Sequence, residues 1–357
     1  MTTVLTSSVF LLCTLLAVMV LGLLVVVIRS IRLLEERLRA ARAAPLRGLL
    51  IELVCEDDEE ESAALRRLTG LDQRRWEALE PTAAAMLGKV TGRGRDALVE
   101  LFERRGAVEG ALAGLRRRGT LRRARSAELI GELGHEPAAP ALLPLLDSRD
   151  PDLRAVAGRA LGRLGDVNAV PALLDRLDGH RRIPPAVATS ALIRLGPVAL
   201  PAIRAGLGHR DAVARAVALD ALASLGDREA TDVVAGVLRD DPSPEVRVRA
   251  AHAMGFLGTR DALEPLLDTV DPAHPLDLRV AAAEALGILG AVRATPRLTA
   301  LLRDPSHRVA AAAGDALLRI GPAGHLALDF SARGADGPRA AAYARAAIAA
   351  GDRGTGP

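Results

Sequence analysis

A run of six acids (Glu56–Glu61), two cysteines and the glycine step "TGRGR" (Thr91–Arg95) are the stretches whose residue types could carry chemistry. Each fails on spacing. A Ca²⁺ loop alternates its acids, turns on a glycine and closes on a glutamate; "CEDDEEES" does none of these and reads as a solvated linker. A phosphate-binding loop needs GxxxxGK[ST] after a strand, and neither surrounds "TGRGR". Cys13 lies in an apolar run and Cys55 beside the acids, which makes no disulfide framework or metal spacing. A reducing, cytosolic environment is expected for the bulk of the chain. G-x-S-x-G, H-E-x-x-H and dinucleotide fingerprints are absent. The expectation is a chain that is not an enzyme and uses no cofactor or metal.

The elements that would position any site are helical. Half of the 357 residues are hydrophobic and only 2% aromatic, so alanine and leucine carry the apolar character, which favours tightly packed helices. The basic side chains are almost all arginine, Lys89 being the exception, a bias typical of GC-rich bacterial genomes. A net charge of +3 does not by itself imply nucleic acid.

Val9–Ile28, "VFLLCTLLAVMVLGLLVVVI", runs twenty residues without a charge. As a helix it would reach about 30 Å, the hydrocarbon thickness. No basic start precedes it and no small-residue exit follows it, so a retained transmembrane helix is expected rather than a cleaved signal. Arg29, Arg32, Arg37, Arg39 and Arg42 all follow the run and none precedes it. This places the C-terminal side in the cytoplasm of a single-pass cell-membrane protein. "RSIRLLEERLRAARAA" continues as a helix, either a basic collar on anionic lipid or a plain extension into solvent.

From Thr120 onward the sequence repeats. An apolar–glycine step recurs at Gly134, Gly165, Gly196, Gly226, Gly258, Gly290 and Gly321, at spacings of 31, 31, 30, 32, 32 and 31. Each period divides into two helices. The second is expected to start at an Asp-Pro in four units (Asp150, Asp241, Asp271, Asp304) and to end on the marker glycine in a left-handed cap. Seven residues before each marker leucine or isoleucine stand Ser126, Ala157, Ala188, Ala218, Ala250, Ala282 and Ala313, a column of small residues for close packing. Three before stand Ile130, Leu161, Leu192, Leu222, Met254, Leu286 and Leu317, a core layer. One unit cannot bury both columns alone, so the units must stack. The expected fold is all-α: a single N-terminal transmembrane helix, then an α-solenoid of about seven helix pairs. The segments are an extracytoplasmic 1–8, the span at 9–28, a juxtamembrane helix and acidic linker at 29–62, and an irregular helical cap at 63–119 with Trp76 as its core anchor. The solenoid follows at 120–321, and a C-terminal cap and tail at 322–357.

"DPSPEVRVRAAHAMGFLG" and "DLRVAAAEALGILG" resemble HEAT repeats, specifically the short bacterial class named after phycocyanobilin lyases. The resemblance covers about 120–321 and implies a scaffold. Ten before the marker, Arg123, Arg154, Arg215, Arg247 and Arg279 form the basic column usual in such repeats, interrupted by Pro185 and Ala310. The expected role is structural, bonding inter-repeat carbonyls and capping acids. Two enzymes come with the resemblance. Bilin lyases find no support beyond the repeat. Deoxyhypusine hydroxylase implies several His-Glu pairs holding two irons, whereas this chain has one, His135–Glu136, in a loop, and His252 is followed by alanine.

The candidate binding face comes from the remaining columns. Five before the marker stand Glu128, Arg159, Ser190, Asp220, His252, Glu284 and Asp315; one before stand Glu132, Arg163, Arg194, Ser224, Phe256, Ile288 and Arg319. Residues four apart share a helix face, so the columns form one strip, taken as the inner, concave surface. Arg159, Arg163 and Arg194 cluster in it, and Phe256 and Ile288 are its apolar exceptions, which makes these five the expected partner-binding residues. The expected function is a membrane-anchored cytoplasmic scaffold for a membrane-associated protein partner. The layout is similar to anchored HEAT proteins encoded beside membrane glycosyltransferases for surface polysaccharides. Nucleic-acid binding through the arginines is the rival; acids alternate along the strip and stacking aromatics are lacking, so it is disfavoured.

Overall fold

The computed structural model describes residues 43–55, 62–334 and 336–354, with scattered positions (19, 21–23, 26–27, 29–30 and 41) before them. The expected span at 9–28 falls mostly, and the acid run Glu56–Glu61 wholly, outside the described residues, as do 1–8 and Arg32, Arg37, Arg39 and Arg42. Among the described residues no single helix is long and apolar enough to cross a membrane. Every described element is helical.

The chain divides into two compact units, ending at Gly110 and starting at Ala111. The first holds α1 (Arg47–Cys55), α2 (Ala63–Thr69), α3 (Gln73–Leu87) and α4 (Arg93–Arg104), and α5 (Ala107–Arg116) crosses the division. Ser62 and Asp72 start α2 and α3 by accepting the N–H of Leu65 and Arg75 at 3.2 and 3.0 Å. Trp76 is buried edge-on against Phe102, ring centroids 5.3 Å apart. Arg105 lies over its ring at 4.8 Å and donates to the carbonyls of Thr69 and Leu71, so the tryptophan anchors this unit's core. The second unit begins ahead of Thr120 because Ala111 and Leu115 of α5 join its core.

The repeats start with α6 (Thr120–Leu133). Short and long helices then alternate: α7 (Ala139–Leu142), α8 (Pro151–Leu164), α9 (Ala169–Leu174), α10 (Pro185–Leu195), α11 (Leu200–Ala205), α12 (Ala212–Leu225) and α13 (Thr231–Asp240). The order continues with α14 (Pro244–Leu257), α15 (Leu263–Thr269), α16 (Leu276–Ile288), α17 (Thr295–Leu301) and α18 (His307–Ile320), and closes on α19 (Pro322–Ala332) and α20 (Pro338–Gly354). Each long helix packs against the next, making one layer, with the short helices behind it. The core column Ile130, Leu161, Leu192, Leu222, Met254, Leu286 and Leu317 is fully buried, as are the alanines from Ala157 to Ala313.

All seven marker glycines have positive φ, between 64° and 87°. Gly134, Gly165, Gly226 and Gly258 are left-handed helix caps, and Gly290 follows a right-handed cap at Leu289. Gly196 and Gly321 take ψ of −167° and −141°, because Pro197 and Pro322 follow and force an extended residue before them. The starts differ from expectation. Asp150 caps α8, accepting from Asp152 and Leu153, and Asp211 caps α12. Asp241, Asp271 and Asp304 do not cap: the helices begin further on, and these acids accept turn N–H groups from Ser243, Ala273 and Ser306 at 2.8, 3.0 and 2.8 Å. In these units a residue after the acid-proline pair takes the cap position: Ser243, Pro275 and Ser306. Asp241 and Asp304 are thereby left to meet Arg215 and Arg279 of the preceding repeat, whereas Asp271 meets Arg297 of the following one.

The tightest contact is also elsewhere than expected. A Cβ on Gly131, Gly162, Gly255 or Gly287 would lie 2.5–2.9 Å from the Cα of Ala160, Ala191, Ala285 or Ala316 in the following repeat. Between successive long helices the close backbone approach therefore pairs a glycine two before one marker with an alanine four before the next. The column seven before is buried but does not make this contact.

Candidate partner-binding face

The arginine column sits at the starts of the long helices. Arg154 is 8% exposed. Its Nη1 donates to the carbonyls of Ser148 and Arg149 at 2.8 and 3.3 Å, and its Nε to Arg182 at 3.1 Å, a tie to the next repeat. Arg215 holds Asp241 through two bonds of 2.7 Å and donates to the carbonyls of His209 and Arg210. Arg279 pairs with buried Asp304 at 2.5 Å, and Arg247 donates to the Leu238 carbonyl at 2.9 Å. Arg123 is half-buried. Burial alone would raise the Asp241 carboxyl; the Arg215 bonds, the Ser243 N–H and the charges of Arg215 and Arg247 outweigh it and hold the group below its ordinary value. Arg154, Arg215, Arg247 and Arg279 are thus spent on the fold, while the buried Arg123 Nε has no hydrogen-bond partner among the described residues.

The strip residues separate into paired and free. Arg163 donates to Glu132 of the preceding repeat at 2.9 Å and is one-quarter exposed, so it does not belong with Arg159 and Arg194, which are exposed. Phe256 is 61% exposed, whereas Ile288 is half-buried; the apolar pair is in effect one open ring on an aliphatic shoulder. His252 Nε2 lies 3.2 Å from Glu284 Oε2, and Arg249 Nη1 is 2.6 Å from Asp220 Oδ2. Both contacts bridge adjacent repeats. Among the described residues no three potential metal ligands come together, so the His252–Glu284 contact stands alone.

Within the strip is an open groove of about 700 Å³, lined by Pro185, Ala186, Thr189, Ser190, Ile193 and Arg194 of α10, and by Asp220 and Arg249 across from them. Its cause is local. Pro184 and Pro185 bar any helix turn before Pro185, so α10 has 11 residues where α8, α12 and α14 have 14. The lost first turn, together with Pro185 in place of the column arginine, leaves a notch between repeats. Burial pushes the Asp220 carboxyl up, against the pull of Arg249. The notch offers two hydroxyls, a free guanidinium, a salt-bridged acid and an aliphatic wall, which is chemistry for recognising a side chain. The interruption at Pro185 is visible in the sequence; Thr189 and Arg249 were not singled out there, because nothing local marks them as neighbours of Arg194.

The family model described as HEAT repeats matches residues 108–193, 200–276 and 236–319, more than half of the chain. A comparison with curated proteins gives no match. Among solved structures, a Kap121p mutant and Kap121p bound to Nup53p are each 14% identical over 80% of this chain, with a TM-score of 0.50. The match spans 38% of Kap121p, so the chain corresponds to about two-fifths of that protein's length. Human deoxyhypusine hydroxylase is 20% identical over 78% of this chain and 97% of its own, with a TM-score of 0.32. At 14% identity the likeness to Kap121p is one of fold.

Proposed function

We propose that this chain, which belongs to the HEAT-repeat family, is a non-catalytic scaffold that captures a protein partner on the long-helix face of its solenoid and holds it at a membrane. The observation that carries the reading is the notch at α10 with Arg159, Arg194 and the open ring of Phe256 on the same face. An extended solenoid face with a polar notch and one exposed aromatic suits a peptide segment carrying an acidic and an apolar anchor. In the complex of Kap121p with Nup53p a similar fold holds a protein. Nucleic acid fits less well, since Glu132, Asp220 and Glu284 share the face and Phe256 is its one aromatic. The resemblance in layout extends the proposal to partners at membrane glycosyltransferase systems.

Crosslinking and pull-down from membranes tests the face. Phe256→Ala with Arg194→Ala should lower partner capture about thirtyfold or more, as expected for a buried aromatic anchor, while Arg159→Ala alone changes it only a few-fold. All three side chains are exposed, so helicity and melting should hold. Recovery of the same partners by the double variant would sink the reading.

The membrane part rests on the uncharged run at 9–28 and the arginines after it. Alkaline carbonate should leave the protein in the membrane pellet, and a reporter fused after Pro357 should be active only in the cytoplasm. Release into the supernatant would remove the anchor from the proposal.

A further inference from the structure

The turn between α5 and α6 reads "RRRGTLRRAR", Arg116–Arg125, with six arginines in ten residues and no acid among them. Arg116, Arg117, Arg118, Arg122 and Arg125 are all exposed, and none is joined to a carboxylate among the described residues. At the centre of the group Leu121 is 66% exposed. The fold gains little from this arrangement. Gly119, at φ 106°, starts α6 without a side-chain cap, and no acid stands in the first turn. Arg122 and Arg123 there oppose the positive end of the helix dipole. Four of the other six long-helix starts carry acids, Asp150 and Asp152, Asp211, Glu245 and Asp277, and neither of the remaining two gathers arginines as α6 does. A corner that gathers like charge at an unfavourable helix end, around an outward leucine, is explained by an anionic ligand outside the chain.

We propose that this corner is a docking surface for an anionic lipid bilayer, with the arginines on headgroup phosphates and Leu121 in the interface. Five arginines near a negatively charged surface gain roughly fivefold in partition each. An aliphatic side chain ringed by arginine stems can enter the headgroup boundary while the guanidiniums remain at the phosphates. Single-stranded nucleic acid would need aromatic platforms, and residues 111–125 contain none. The proposal does not depend on the partner-binding face, and it does not require residues 9–28 to cross the membrane.

The test uses the full chain with Cys13→Ser and Cys55→Ser, labelled with an environment-sensitive dye at Leu121→Cys. Vesicles of phosphatidylcholine alone are compared with vesicles that also contain phosphatidylglycerol. The label should shift to the blue with the anionic vesicles only, and the shift should fade as salt is raised. Arg117→Gln with Arg118→Gln should weaken the response about tenfold or more. A label at Val198→Cys, exposed on another repeat, should not respond. Flotation reads the anchor separately, since a spanning helix keeps the protein on vesicles of either composition. A Leu121 label that responds equally to both lipids, or to neither, overturns the proposal. So does a labelled duplex that binds through Arg117 and Arg118 while the vesicle response is absent. Because Leu121, Arg117, Arg118 and Val198 are exposed, unchanged circular dichroism excludes misfolding as the cause.

Discussion

Arg215→Met should cost about 3–5 kcal/mol, because it strands the Asp241 carboxylate in the interior. The pair's side chains are only 10% and 4% exposed, and Nε and Nη2 each meet a carboxylate oxygen at 2.7 Å. The same substitution removes the donor to the His209 and Arg210 carbonyls. Over a unit of this size the loss corresponds to roughly 6–20 °C in Tm by circular dichroism. Arg293→Met is the matched control. Its partner Glu264 lies at 3.2 Å with both side chains in solvent, and the change should stay within about 0.5 kcal/mol. Removing both members of the buried pair, Arg215→Met with Asp241→Leu, should recover much of the loss. The sign with pH follows from Asp241, whose carboxyl is held low in the fold. Its stabilisation is present above the ordinary carboxylate range, about pH 4, and is lost as pH falls through the folded value. The gap between wild type and Arg215→Met should therefore narrow in acid. A gap independent of pH would show that the pair is not its source.

Gly162→Ala should lower stability by about 1–3 kcal/mol, although alanine is the better helix former. The added Cβ would lie 2.5 Å from the Ala191 Cα and 2.9 Å from its carbonyl oxygen, both backbone, so no side chain can yield. Gly236→Ala on α13 meets nothing within 4 Å and should gain about 0.5–1 kcal/mol. Urea unfolding of the two variants should thus move in opposite directions. Equal shifts would refute the close contact between long helices.

Much of the fold was legible because its signals are local. A glycine that must take positive φ, a proline that excludes a preceding turn and an apolar column three before each marker all act within one helix and its cap. The starts were less legible. Asp150 and Asp241 are both followed by proline, yet only the first caps its helix, since Ser243 and Pro244 move the second start onward. The site was legible as a strip of columns but not as individual roles. Arg159 and Arg163 sit four apart on one helix and look alike in sequence, yet only Arg163 meets an acid.

The sequence by itself determined a stack of helix pairs with a period near 31 residues, because backbone sterics and helical periodicity depend only on near neighbours. Tertiary structure alone decided which polar side chains remain free. Arg249 meets Asp220 and His252 meets Glu284 across separations of 29 and 32 residues. Arg215 reaches Asp241 across 26. Every repeat offers several columns to the next, and the small rotation between stacked units selects which of them touch. The close approach that Gly162 allows Ala191 and the turn that Pro184 and Pro185 remove are two of the contacts through which one repeat meets the next. The same local features that write the repeat therefore leave its binding face to be fixed by packing between repeats.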